Sequence, residues 1–141
     1  KERAIIEVLL TSGIRVAELA EMNVDDIDMQ TLTVHVKHGK GSKERLTYIT
    51  DVAKMHLQMY LKSRKDNHVA LFTNYRKNRI GTGGIRTILK DLEKRSGVVN
   101  VHPHRFRRTF ATGMAARGMA LQDIQRLMGH SSISTTMRYI T

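Results

Sequence analysis

Apolar residues recur at helical spacing along most of this chain, and that periodicity restricts the possible folds more than any other feature. Ile5, Leu9 and their neighbours predict a buried helix face at the start, because side chains three and four residues apart share one side of a helix. The Ser12-Gly13 pair interrupts it. Further helices are predicted over roughly 16–22, 52–64, 84–95, 103–117 and 121–128. Asp51 is the predicted cap of the helix over 52–64, and a final helix is predicted after Ser131 or Ser132 and carries Tyr139.

One segment alternates instead of following the helical period. Leu32, Val34 and Val36 fall on one side of residues 31–37, which is typical of a β-strand. Residues 38–42 have the composition of a turn, and residues 43–49 are predicted to return as the second strand of a hairpin with a basic tip. The sequence therefore predicts one α+β domain, mainly helical, with one small antiparallel sheet.

A large positive charge narrows the choice of partner. The 141 residues include 24 Lys and Arg against 13 Asp and Glu, a formal net charge of +11. These positive charges repel one another in the folded state, so we expect a polyanionic partner. DNA or RNA is the first candidate and an acidic membrane surface the second. No apolar run approaches the ~18 residues that span a bilayer. The chain also lacks an opening secretory signal and an initial Met, which favours an intracellular protein and a piece of a longer one.

Metal and nucleotide sites find little support. The chain has no cysteine, which excludes disulfides and thiolate ligands. His102 and His104 have no second histidine pair nearby, and residues 39–43 lack the spacing of a phosphate-binding loop. The aspartates at 25, 26 and 28 fit a loop and a short strand edge better than a magnesium site. We expect no cofactor, no metal and no small-molecule substrate.

The most informative stretch is residues 103–112, PHRFRRTFAT. His104 and Arg107 share one face of the predicted helix, while Phe106 and Phe110 can anchor another face in the core. Histidine and arginine near a helix N-terminus suit an anionic ligand, because free N–H groups and the helix dipole favour negative charge there. Taken alone, a basic helix face is more often simply solvated.

Five motifs in order are far more specific than any one of them. They are TSGIRVAEL (11–19), GKGSKER (39–45), PHRFRRTFAT (103–112), LMGHSS (127–132) and TTMRY (135–139). In this order and at these spacings, the chain resembles the catalytic domain of the tyrosine recombinases, the phage integrase family, from about Thr11 to Tyr139. The implied fold is a small antiparallel sheet or hairpin packed on a helical bundle.

The resemblance implies a role for each matching residue. The implied catalytic residues are Arg15, Lys43, His104, Arg107, His130 and the nucleophile Tyr139. Glu18 matches the acidic residue that helps to hold Arg15. Arg108 stands where many members have histidine, and Met128 replaces a more usual leucine. We expect DNA contacts from Lys40, Arg45, Arg105 and Arg108.

The implied partners are double-stranded DNA with a specific recombination site and neighbouring recombinase subunits, as a tetramer on that DNA. Residues 1–141 are expected to form the catalytic domain alone. The N-terminal core-binding domain that members usually carry is expected to be absent, as is most of the segment that usually follows the tyrosine. Such a fragment is expected to bind DNA weakly.

The implied activity is site-specific cutting and rejoining of DNA through a covalent 3′-phosphotyrosine, without metal or ATP, in the cytoplasm of a bacterial or phage-infected cell. Integration of a prophage or other mobile element is the leading expectation. Xer-type resolution of chromosome or plasmid dimers is the alternative within this chemistry, and type IB topoisomerases share the catalytic set. A non-catalytic basic DNA-binding domain, in which Tyr139 only packs, is the alternative of another class.

Overall fold

A computed structural model of the chain describes residues 1–37, 44–99 and 101–129, together with Met137. Within these residues the chain forms helices around a small antiparallel sheet, which confirms the predicted fold class. In chain order the elements are α1 (Glu2–Ser12), α2 (Val16–Glu21), a 3-10 turn (Val24–Asp26), β1 (Ile27–Asp28), β2 (Thr33–Val36), β3 (Arg45–Tyr48), α3 (Asp51–Ser63), α4 (Thr82–Ser96), α5 (Pro103–Ala116) and α6 (Leu121–Met128).

The sheet has the order β1-β2-β3, and both neighbouring pairs are antiparallel. The predicted pairing of the two longer strands is confirmed, with Thr33 opposite Tyr48 and Val36 opposite Arg45. Strand β1 adds a third strand through two residues that pair with the outer end of β2. Two residues are too few for an alternation to show, so the sequence pointed only to a strand edge there. The predicted basic tip, residues 38–43, lies outside the described residues.

Helix α1 is the centre of the larger core. Its buried face, with Ile5 and Val8 fully covered, contacts α3, α5 and β3. Leu57 from α3 and Phe106 from α5 belong to the same apolar cluster. Four apolar side chains from these helices are buried in one cluster, which explains why the helical period is clear in the sequence.

The described helices begin and end within about two residues of the predicted bounds. Gly97 ends α4 in the left-handed conformation, and Pro103 opens α5. Asp51 was predicted as the cap of α3, which is wrong: Thr50 is the cap, and its hydroxyl accepts from the N–H of Ala53 at 3.2 Å. Asp51 instead lies in the first turn, where the helix dipole stabilises its negative charge.

A second, smaller apolar cluster joins α5 to α6 through Phe110, Ala111, Ile124 and Met128. Phe110 also lies against Gly13, which ends α1 with a φ of +73°. A Cβ at position 13 would meet the Phe110 ring at 2.6 Å. The glycine therefore lets α5 approach the connection between α1 and α2, on which the candidate site depends.

We expect Gly13→Ala to destabilise the fold more than Gly97→Ala. Both glycines have a φ of +73°, but a Cβ at position 97 has no neighbour within 4 Å. The matched substitution at 97 should cost the left-handed strain alone, about 1–2 kcal/mol. Gly13→Ala should cost about 1–3 kcal/mol more, because it also overpacks the core. Urea unfolding measures both; equal losses would contradict the close packing of Phe110 on Gly13.

Candidate active site

The C-terminal end of α6 receives three arginine side chains. The last carbonyls of a helix lack partners within the helix and carry a partial negative charge, so guanidinium groups stabilise them. The contacts are Arg45 Nε to the Leu127 carbonyl at 2.8 Å, Arg107 Nη2 to Met128 at 3.2 Å and Arg15 Nη2 to Gly129 at 3.5 Å. Side chains from three separate segments thus meet at three consecutive carbonyls.

Arg107 connects the ends of two helices. Its side chain is buried, at 4% exposure, and Nη1 donates to the carbonyl of Gly13 while Nη2 donates to that of Met128. His104 lies one turn earlier on α5 and is exposed. The predicted neighbours on this helix therefore differ in depth, with the arginine in the interior and the histidine at the surface.

Glu18 is the acidic centre of the arrangement. Its buried carboxylate accepts from Arg45 Nη1 at 2.6 Å and Nη2 at 2.8 Å, as a bidentate pair. It also accepts from the Arg15 amide at 2.8 Å and lies 3.4 Å from Arg15 Nη1. Burial alone raises the pKa of Glu18, but the hydrogen bonds and charges of Arg45 and Arg15 outweigh it and hold the pKa below its ordinary value. Glu18 thus stays ionised.

The structure gives Arg45 a place that differs from the expected DNA contact. Its side chain is 7% exposed, and its nitrogens donate to Glu18 and to Leu127. Sequence reasoning missed this role because β3 turns its polar residues inward. Thr47 is buried and donates to the Ser12 carbonyl at 2.7 Å, whereas Leu46 and Tyr48 are about half exposed.

Exposed basic side chains lie beside the buried arginines, at the start of α5. An open cleft of about 390 Å³ is lined by His102, His104, Arg105, Arg108 and Thr109. Arg105 Nη1 donates to the Val99 carbonyl at 2.8 Å, which holds its side chain along the cleft. A cleft lined by two arginine side chains suits a phosphate backbone.

The structure brings Arg15, Glu18 and Arg107 together, with His104 one helical turn away. The other expected site residues, Lys40, Lys43, His130 and Tyr139, lie outside the described residues. Over the part of the chain that the structure describes, no group of three metal-ligating side chains occurs. No helix in that part is long and apolar enough to cross a membrane.

Residues 1–141 match the Phage integrase family. The chain belongs to this family. It is 42% identical over 144 residues to the tyrosine recombinase XerC of Staphylococcus saprophyticus and 36% identical over 142 residues to the tyrosine recombinase XerA of Pyrococcus horikoshii. Each comparison covers 99% of this chain, and the chain spans about half the length of these curated relatives, 48% and 50%.

Solved structures of the family share this fold. A crystal structure of XerA recombinase superposes with a TM-score of 0.90 at 35% identity, covering 97% of this chain and 52% of that chain. A lambda integrase dimer bound to a core site superposes with a TM-score of 0.76 at 18% identity, covering 99% and 52%. The second likeness bears on the fold alone.

We expect Glu18→Gln to lower the free energy of unfolding at pH 7 by about 3–5 kcal/mol, because it leaves Arg45 without its buried counter-charge. The folded pKa of Glu18 lies below its ordinary value of 4.5. Its ionic contribution is therefore complete above that value and is lost as the pH falls through the folded pKa. The difference in the free energy of unfolding between wild type and Glu18→Gln should therefore become smaller below about pH 4.5.

Urea unfolding between pH 7 and pH 3 measures this difference. Glu21→Gln is the matched control, since Glu21 is exposed on the same helix, and it should follow the wild-type curve. If the difference in unfolding free energy between wild type and Glu18→Gln stays constant down to pH 3, the assigned ionisation of Glu18 is wrong.

Proposed function

We propose that this chain is the catalytic domain of a site-specific DNA recombinase, which cuts and rejoins strands through a tyrosine. The observation that carries the proposal is the meeting of Arg15 and Arg107 at the end of α6. Among the described contacts, three guanidinium groups meet at this helix end, and one carboxylate, that of Glu18, pairs with two of them. Positive charge is therefore in excess there, and a phosphate is attracted. Membership in the Phage integrase family and relatives named tyrosine recombinases support the same activity.

Arg15 and Arg107 are proposed to hold the scissile phosphate. A planar guanidinium matches two phosphate oxygens, and fixed donors lower the energy of the extra charge that develops during attack. Arg15 is 28% exposed, so a DNA strand can reach it. The proposed contribution of His130, which follows Gly129 in the chain, is one more hydrogen bond to the non-bridging oxygens.

Cleavage is proposed as attack by the Tyr139 oxygen on phosphorus. The bond from phosphorus to the 5′ oxygen breaks, and the products are a 3′-phosphotyrosine and a free 5′-hydroxyl. His104 accepts the phenolic proton, because an imidazole nitrogen is the most common general base in enzymes. Lys43 gives a proton to the departing 5′ oxygen. Attack by another 5′-hydroxyl reverses these steps, and the covalent intermediate conserves the bond energy.

DNA is proposed to lie along the cleft at the start of α5. Arg105 and Arg108 line that cleft together with both neighbouring histidines, and Lys40 is proposed to contact the backbone from the hairpin. Each phosphate that is neutralised releases counterions, with a salt slope of about −0.9 per contact. Strand exchange further requires neighbouring subunits, and we propose a tetramer on DNA.

Two substrate classes remain for this chemistry. The identities of 42% and 36% to recombinases named XerC and XerA favour Xer-type resolution of DNA dimers. Integration of a prophage or other mobile element is the second candidate. A Tn1549 transposon integrase superposes on the chain with a TM-score of 0.84, but at 22% identity that likeness bears on the fold alone. Resolution of a plasmid with two direct copies of one site separates the classes, because integration joins two different sites.

Tyr139→Phe should abolish covalent attachment to DNA and leave non-covalent binding within about twofold. The substitution removes one oxygen and keeps the ring. Nicked duplexes with a randomised central sequence trap the adduct, because the short strand beyond the nick diffuses away. Denaturing gels score adducts, and sequencing of the trapped DNA gives the preferred site. A denaturant-resistant adduct from the Phe variant would show that the nucleophile is another residue; wild type without any adduct would contradict the proposed function.

Lys43→Ala should lower cleavage of ordinary DNA by about 10²–10⁴-fold. Cleavage should recover on DNA with sulfur at the bridging 5′ position, because a thiolate leaves without a proton. Arg15→Ala is the control, and the same sulfur should not rescue it, since that arginine acts on the non-bridging oxygens. A Lys43→Ala defect that sulfur leaves unchanged would exclude proton donation by Lys43.

A further inference from the structure

We infer that Arg45 is a positioning residue, which fixes the base of the β2–β3 hairpin to Glu18 and to the end of α6. This inference rests on the proposed function and deepens it. Arg45 would act through other groups: it aligns the segment that carries Lys43 with the phosphate-binding arginines. The expected DNA contact is thereby replaced by an internal role.

Three directions of the Arg45 guanidinium are used at once. Nη1 and Nη2 donate to the two oxygens of Glu18, and Nε donates to the Leu127 carbonyl at 2.8 Å. Glu18 in turn accepts from the Arg15 amide. One side chain on β3 is therefore bound to α2, which follows the arginine proposed to hold phosphate, and to α6.

Gly129 fixes the same arrangement from the other side. It ends α6 with a φ of +73°, and a Cβ there would lie 2.7 Å from Nη1 of Arg45 and 2.8 Å from its Cζ. The backbone of α6 is therefore seated directly against the guanidinium. A side chain at position 129 would push this helix end and Arg45 apart.

Covalent geometry connects this contact to the proposed catalytic residues. Lys43 precedes Arg45 by two residues in the sequence, and His130 directly follows Gly129. Arg15 shares the Glu18 carboxylate with Arg45. A shift of Arg45 would thus reach the proposed proton donor, whose distance to the leaving oxygen controls its efficiency.

Arginine is needed for this role because its fork is rigid and planar. A lysine at position 45 would keep the charge, but one ammonium cannot span both oxygens of Glu18 and a helix carbonyl with fixed geometry. Arg45→Lys should therefore retain much of the stability and lose the alignment. Arg45→Met removes the charge as well.

The matched control is Arg79→Met. Arg79 also holds backbone carbonyls from a partly buried position, with Nη1 donating to Met22 at 2.9 Å and to Ala20 at 3.2 Å. It is not among the residues proposed to act on DNA. Its loss should lower stability while folded molecules cleave at the wild-type rate.

The experiment measures the first-order rate of adduct formation at saturating DNA, for ordinary duplexes and for duplexes with 5′-bridging sulfur. Rates are taken below the melting transition of each variant, so that all molecules are folded. Arg45→Lys and Arg45→Met should each lose about 100-fold on ordinary DNA, keep DNA affinity within about threefold and recover at least about tenfold with sulfur. Arg79→Met should lose less than about threefold on either duplex.

Two results would overturn the positioning role. One is an Arg45 variant that cleaves like Arg79→Met, which would make the arginine a stabilising residue only. The other is an equal loss on both duplexes, which would remove the link to proton donation.

Hydrogen exchange tests the same link without catalysis, at equal unfolding free energy set with urea. Arg45→Met should speed amide exchange at residues 44–46 and at 127–129 together, whereas Arg79→Met should not. Unchanged protection at either segment would overturn the inference. Wild type that forms no adduct would sink the proposed function instead, and the exchange result would still decide whether Arg45 joins the two segments.

Discussion

The bidentate ion pair between Glu18 and Arg45 is the interaction on which the rest of the site depends. Both charges are buried, and desolvating them costs several kcal/mol per ion. Such a pair adds little net stability over apolar residues of similar size, but a missing partner is severely destabilising. Its value here is geometric, because it fixes β3 against α2 in one register and leaves the Nε of Arg45 directed at α6.

The second constraint is the shape of the backbone around this pair. Two glycines with left-handed conformations, Gly13 and Gly129, end α1 and α6 where no side chain fits. Phe110 fills the space beside the first and Arg45 the space beside the second. The carbonyls at these two ends then accept from Arg107. At each of these two helix ends, a glycine leaves room for a neighbouring side chain, and a backbone carbonyl accepts a hydrogen bond from Arg107. These contacts bring together residues about a hundred positions apart in the sequence.

Local signals predicted most of the fold. The helical period of α1, the bounds of α5 and the alternation in β2 each depend on a few neighbouring residues, so the sequence alone predicted them. Strand β3 was predicted as a returning strand over 43–49, but the sequence did not indicate which of its side chains face the core. Arg45 and Thr47 face inward because their partners, Glu18 and the Ser12 carbonyl, come from distant segments.

The site followed the same division. Ordered motifs pointed to Arg15, Glu18, His104 and Arg107, and the structure places the first, second and fourth around the end of α6. The role of Arg45 was missed, since a basic residue beside a basic hairpin tip looks like a DNA contact. Only the long-range pairing with Glu18 distinguishes a buried arginine from a surface one, and sequence spacing carries no record of that pairing.

The most direct test of this account is a crystal structure of the chain grown with vanadate or phosphate. The account predicts an anion within hydrogen-bond distance of Arg15 and Arg107 near the end of α6. It also predicts that Arg45 stays on Glu18 and Leu127 and does not touch the anion. An anion held by Arg45, with its bonds to Glu18 broken, would contradict the account, as would an anion bound away from Arg15 and Arg107 altogether.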